Sequence, residues 1–152
     1  MAHEPREHNS RVERSAVMRR VKSRDTAPEL RVRRAAHALG YRFRLYDARL
    51  LGRPDLVFAA RRKLVFVHGC FWHWHDCPRG RRAPKTNEAY WRSKLGRNVE
   101  RDAENLLALA GQGWGVLVIW ECETKNPEEL RARLRGFLGP SAREAREARG
   151  IV

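Results

Sequence analysis

The chain has no long hydrophobic run: stretches such as Leu64–Val67 and Val116–Trp120 are far too short to cross a bilayer. Its first thirty residues hold no apolar segment of the export-signal type. Both absences lead us to expect a soluble, cytoplasmic, nucleoid-associated protein with no membrane partner. Cysteine is scarce as well, with three in 152 residues, so the set cannot pair completely within one chain, and metal binding accounts for Cys70, Cys77 and Cys122 better than a disulfide framework does. Acidic residues are in deficit, 18 against 32 Lys and Arg, which leaves a net charge of +14 and favours a polyanionic partner over a small neutral ligand. A general preference for arginine explains a minor share of that excess, and nucleic acid is the leading partner class. There is no internal repeat, and the length fits one domain with a sizeable core. We expect a basic arm over 1–24, a folded domain over 25–138 and a polar tail over 139–152.

What the chain does have is concentrated. His68-Gly-Cys-Phe-Trp-His-Trp-His-Asp-Cys77 carries three histidines, two cysteines and three aromatic rings in ten residues. Buried packing would avoid so many ring nitrogens, each of which needs a partner or a metal. A plain surface loop would not expose Phe71, Trp72 and Trp74 together. The segment therefore reads as a site.

Around it the pattern is α/β. Thr26-x-x-Glu29, with Pro28 in the first turn, forms a capping box for a helix whose Val32, Ala35, Ala36 and Leu39 share one face before Gly40. Tyr41, Phe43 and Leu45 alternate with arginines as a strand, followed by strands Asp55–Phe58 and Leu64–His68 across a short turn. A turn centred between Arg61 and Arg62 pairs Phe58 with Val65 and places Asp55 opposite His68. That pairing depends on register. Asn87 is placed to cap a long helix ending at Gly111, and Trp114–Trp120 reads as an apolar strand buried on both faces with a parallel partner. Asn126-Pro-Glu-Glu opens the last helix, and the final dozen residues lack an apolar stripe. The order implies a mixed sheet flanked by helices.

Two metal sites are suggested. Cys70, His75 and Cys77, spaced C-x4-H-x-C, with Cys122 beyond the apolar strand, make a Cys₃His set suited to structural zinc. His73 competes with His75 for the fourth place, and an inert Cys122 thiol is the plainer alternative. Gly52-Arg-Pro-Asp55 sets an acid at the start of a strand, where it can hold Mg²⁺, with His68, His73 and Glu29 as titratable groups that the fold can bring near. Pro-Asp alone marks many ordinary strand boundaries.

Together, Gly52-Arg-Pro-Asp55, Phe66-Val-His-Gly-Cys-Phe-Trp-His73, Tyr90-Trp91, Asn98-Val-Glu-Arg-Asp102 and the stretch from Trp114 to Val-Ile-Trp-Glu-Cys122 resemble the very-short-patch repair endonucleases, over about Ser15 to Leu138. The resemblance implies a restriction-endonuclease-like core that nicks DNA 5′ of the thymine in a T·G mismatch left by 5-methylcytosine deamination. It implies Mg²⁺ held by Asp55 and the carbonyl of Val67, His68 and Glu29 at metal-bound water and phosphate, and His73 as acid/base. It also implies zinc on Cys70, His75, Cys77 and Cys122, and an aromatic wedge of Phe71, Trp72 and Trp91, with Met18 entering the DNA from the opposite groove. A monomer acting with mismatch-repair proteins and a DNA polymerase follows from the same resemblance. Phe66-Val-His68 stands where the wider nuclease superfamily has an acid-x-Lys motif, so a generic restriction mechanism does not transfer. Helical spacing also allows Trp91 as a core residue, and the capping box alone explains Glu29. Two other readings are a restriction or mobile-element nuclease of the same fold and a non-catalytic zinc-containing DNA-binding module, which would leave Asp55 and His68 without a role.

Overall fold

The computed structural model describes residues 25–82 and 84–150. Met18 and the arm lie outside the described residues. Helix α1 spans Ala27–Ala38, and Thr26 caps it by accepting the Glu29 N–H at 3.4 Å. The reciprocal half of the expected box is displaced by one residue, because the Glu29 carboxylate takes the N–H of Asp25 at 3.0 Å. Gly40, at φ +87°, reverses the chain after the helix.

Four strands follow, β1 (Arg44–Leu45), β2 (Leu56–Phe58), β3 (Lys63–His68) and β4 (Gly115–Trp120), in the order β1-β2-β3-β4. The first two pairings are antiparallel and β3 runs parallel to β4, through the crossover helix α2, Glu88–Gly111. Helix α3, Pro127–Leu138, is capped by Asn126, whose side chain accepts from the N–H groups of Glu128 and Glu129. The result is a mixed four-stranded sheet between helices. On one face α1 and α3 enclose Leu56, Phe58, Val65 and Ile119; on the other, Val57, Leu64 and Phe66 meet Leu109 of α2. Among the described residues no helix is long and apolar enough to cross a membrane.

The hairpin register differs from expectation. Phe58 pairs with Lys63 and Leu56 with Val65, so Asp55 is not directly opposite His68. The cause is the turn: Ala59–Arg61 form one helical turn, and Arg62, at φ +52°, donates its N–H to Ala59, closing the loop one residue earlier. The shift is two residues along the partner strand, an even number, so Asp55 and His68 keep the same face of the sheet.

Other boundaries also moved. The alternation at Tyr41–Leu45 yields only two residues of ladder, and Tyr41 instead buries its ring and donates its hydroxyl to the carbonyl of Gly139. Strand β4 is an edge strand in which Ile119 alone is fully buried, which corrects the expectation of burial on both faces. Asn87 precedes α2 in a left-handed conformation and makes no side-chain cap. Residues Ala142–Ala148 form a short helix, α4, fixed by a capping box between Ser141 and Glu144 rather than by an apolar stripe.

Candidate active site

The sheet face towards α2 opens at one end into a cleft of about 1000 Å³. Asp55, Val67, His68, His73 and Glu29 all line it, so the structure gathers the residues that the sequence singled out. Asp55 sits where β2 begins and accepts the backbone N–H of Val67 at 2.6 Å. Burial pushes its carboxyl up to about 7, the Val67 bond opposes that rise, and the nearby Glu29 charge adds to it. The site thus holds a carboxylate short of positive charge.

His68 ends β3 and is 6% exposed. Burial holds its imidazole down to about 4, and the His73 charge acts in the same direction. Its Nδ1 is buried and has no hydrogen-bond partner among the described residues. The His73 ring stacks on it at 3.8 Å and 3°, while His73 Nδ1 pairs with the carboxylate of Asp102 on α2. That bond leaves Nε2 of His73 for a substrate. Among the described residues His68, His73 and Asp102 also bring their ligand atoms within 4.8 Å of one another.

A second cluster lies behind the loop. Ligand atoms of Cys70, His75, Cys77 and Cys122 fall within 4.8 Å of one another, which places His75, and not His73, in the cysteine set. Cys122 is no isolated core thiol: its N–H donates to Cys70 Sγ at 3.4 Å, and its own sulfur lies 3.6 Å from His75 Nδ1. The N–H of Gly80 donates to Cys77 Sγ and draws that thiol down, whereas burial raises Cys70. A Cβ at Gly80 would lie 1.9 Å from the His75 carbonyl oxygen, so the loop closes round the cluster only with glycine there. The His75 ring stacks on Trp120 at 4.1 Å, and Trp120 meets His68 edge-on at 5.3 Å, so one indole joins the two clusters.

Phe71 and Trp72 pack edge to face, and Trp91 of α2 closes the group at 5.5 Å and 6.0 Å from them. Trp91 is therefore not part of either core cluster. Lys94 lies over Trp72, Tyr90 and Trp91, which gives this aromatic surface a positive charge. Asn98 donates to the Trp72 carbonyl at 2.9 Å and ties the loop to α2. Asn98 and Asp102 belong to the Asn98-Val-Glu-Arg-Asp102 motif, which by itself gives neither a role. Their spacing of four on one helix face was the signal, since it points both at the same loop. Tyr46 and Arg33, which bond Glu29, carried no such signal.

A mixed four-stranded sheet with carboxylates and paired histidines at its open end, on a strongly basic chain, has the chemistry of a DNA endonuclease, and the relatives of this chain belong to that class. The profile described as "DNA mismatch endonuclease Vsr" matches residues 7–79. The "Type II nicking enzyme V.XorIIP" of Xanthomonas oryzae pv. oryzae is 48% identical over 84% of this chain and 93% of its own length. The "DNA mismatch endonuclease Vsr" of Escherichia coli K12 is 44% identical over 77% of this chain and 74% of its own. The "Type II nicking enzyme V.NaeI" of Lentzea aerocolonigenes is 46% identical over 72% and 68% respectively. The chain belongs to the Vsr DNA mismatch endonuclease family.

Proposed function

We propose that this protein is a Mg²⁺-dependent endonuclease that nicks one strand 5′ of the thymine at a T·G mismatch arising from 5-methylcytosine deamination, opening very-short-patch repair. The observation that carries the reading is the convergence of Asp55, Glu29, His68 and the His73–Asp102 pair in one cleft beside an aromatic surface. The similarity to a protein named as a mismatch endonuclease supports the substrate. All these residues come from one chain, in keeping with a monomer, and the nick would pass to mismatch-repair proteins and a DNA polymerase.

The donor set fits Mg²⁺. Asp55 is an oxygen ligand whose surroundings favour protonation in the absence of a counter-charge, and a second carboxylate stands near it. Asp55 and the Val67 carbonyl would hold the ion, which when bound supplies charge stabilisation at the scissile phosphate. The chain's own groups do the rest. His73, its ring fixed through Nδ1 by Asp102, exchanges a proton at Nε2; His68 meets the phosphate; and Glu29 orients the attacking water.

Three thiols and one imidazole in a closed set suit zinc in a structural role. One zinc per chain is expected by atomic absorption. Cys122→Ala and Gly80→Ala should each lower zinc content and thermal stability together, whereas a folded, metal-free wild-type protein would remove the zinc assignment.

Phe71, Trp72 and Trp91 are proposed to enter the base stack at the mismatch, where unstacking costs least, with Met18 of the arm entering from the other groove. The double variant Phe71→Ala/Trp72→Ala should lose affinity for T·G duplex by more than for matched duplex at one salt concentration. The +14 charge still supplies the sequence-independent part of binding. Equal losses on both duplexes would assign these rings to general affinity. The reading as a whole is tested by mapping the cut on a duplex with one T·G pair against its matched counterpart: a single nick 5′ of the thymine is expected. Equal cutting of matched DNA would favour a restriction nuclease.

A further inference from the structure

Glu29 is 5% exposed, yet it lines the cleft, and its carboxylate is held in an asymmetric way. One oxygen, Oε2, accepts three donors: the Asp25 N–H at 3.0 Å, the Tyr46 hydroxyl at 2.5 Å and the Arg33 guanidinium at 3.3 Å. No donor among the described residues reaches Oε1. Glu29 lines the cleft, and Oε1 is the carboxylate oxygen left for it.

We infer that Tyr46 and Arg33 are positioning residues that clamp Oε2 of Glu29 and thereby aim Oε1 at the water or phosphate in the cleft. The assignment rests on the role of Glu29 proposed above and extends it to the two side chains that bond its carboxylate. The backbone supports the clamp. Tyr46 adopts φ +48° just beyond β1, an uncommon conformation for a bulky residue, and this delivers its hydroxyl to α1. Arg33 lies one helical turn after Glu29, in reach of the same oxygen, and its guanidinium stands 5.2 Å from the Tyr46 ring centre while pairing with Asp25 at 2.8 Å. Tyr46 and Arg33 also bond each other, so the clamp is a closed triangle. A freely rotating carboxylate would present an oxygen to the cleft only part of the time, and fixing the other oxygen removes that loss.

The test is a double-mutant cycle between Tyr46→Phe and Glu29→Ala, with Arg33→Met and Arg33→Lys as a second arm. Tyr46→Phe keeps the ring against Arg33 and removes only the hydroxyl. It should slow single-turnover nicking of a T·G duplex about 10-fold and weaken Mg²⁺ binding, read by titration calorimetry, by a similar factor, with DNA affinity unchanged. In the Glu29→Ala background the same change should have no effect. Arg33→Lys should recover part of what Arg33→Met loses. Additive losses in the cycle, or a Tyr46→Phe variant with wild-type Mg²⁺ affinity, would overturn the inference. Full activity and Mg²⁺ affinity in Glu29→Ala would also overturn it, by removing the role of Glu29 itself. If wild-type protein cuts no T·G duplex, the proposed function fails, and the Mg²⁺ titrations still decide the clamp.

Discussion

Asp55→Asn is expected to abolish Mg²⁺-dependent nicking, by ~10³-fold or more, because the ligand charge at the scissile phosphate supplies several kcal/mol of transition-state stabilisation. Mismatch binding should survive, since the amide retains the shape and can still accept the Val67 N–H. A second consequence has the opposite sign. Burial raises the Asp55 carboxyl to about 7 from an ordinary 3.8, so the metal-free folded state holds this proton more tightly than the unfolded chain does. Its contribution to stability is therefore full below about pH 4 and falls as pH rises towards 7, by an amount on the order of several kcal/mol. Asparagine has no such slope. In metal-free buffer Asp55→Asn should melt above wild type at pH 8 and level with it near pH 4, by calorimetry. His68, held down to about 4, slopes the other way, losing stability as pH falls from about 6.5 towards 4. Comparing variant with wild type at each pH cancels that slope. Cleavage by Asp55→Asn above a tenth of the wild-type rate would end the ligand assignment, and equal melting at pH 8 would end the electrostatic one.

Much of the architecture was legible because local chemistry marked it. Thr26, Gly40 and Asn126 punctuate helices whatever lies around them, and the Cys/His spacing brings four ligands together with no need for an exact strand register. The hairpin register was not legible. It turns on Arg62 adopting a left-handed conformation that arginine does not advertise, and only the period of two preserved the inference that Asp55 and His68 share a face. Strand β4 reads as central because it is apolar, yet it is an edge whose outer residues are only half-covered. The clamp on Glu29 was invisible for a related reason. Three residues from α1 and the loop after β1 meet at a single oxygen, and no spacing rule connects position 46 with position 29. Side-chain chemistry announced the ligands, while long-range packing chose the residues that orient them.

His73→Ala is expected to slow single-turnover nicking by roughly 10²-fold or more at saturating protein, with Kd for the T·G duplex little changed. The argument is geometric. Asp102 holds Nδ1, so a single nitrogen, Nε2, serves the reaction, and the parallel ring of His68 at 3.8 Å prevents the imidazole from turning away. Asp102→Asn should therefore also be slow although it leaves both histidines in place, because an amide cannot fix the tautomer or compensate imidazolium charge as a carboxylate does. The alanine variant carries a complication: the His73 charge is one of the influences that hold His68 down, so its removal lets His68 rise and shifts the pH profile by itself. His73→Gln controls for this only in part, since it restores volume and not charge. The rates are therefore to be measured across pH 6 to 9, and added imidazole should restore part of the His73→Ala rate by occupying the vacated space. If both variants lose affinity but keep the single-turnover rate of bound duplex, His73 is a DNA-binding residue, and proton transfer belongs to His68 or to solvent.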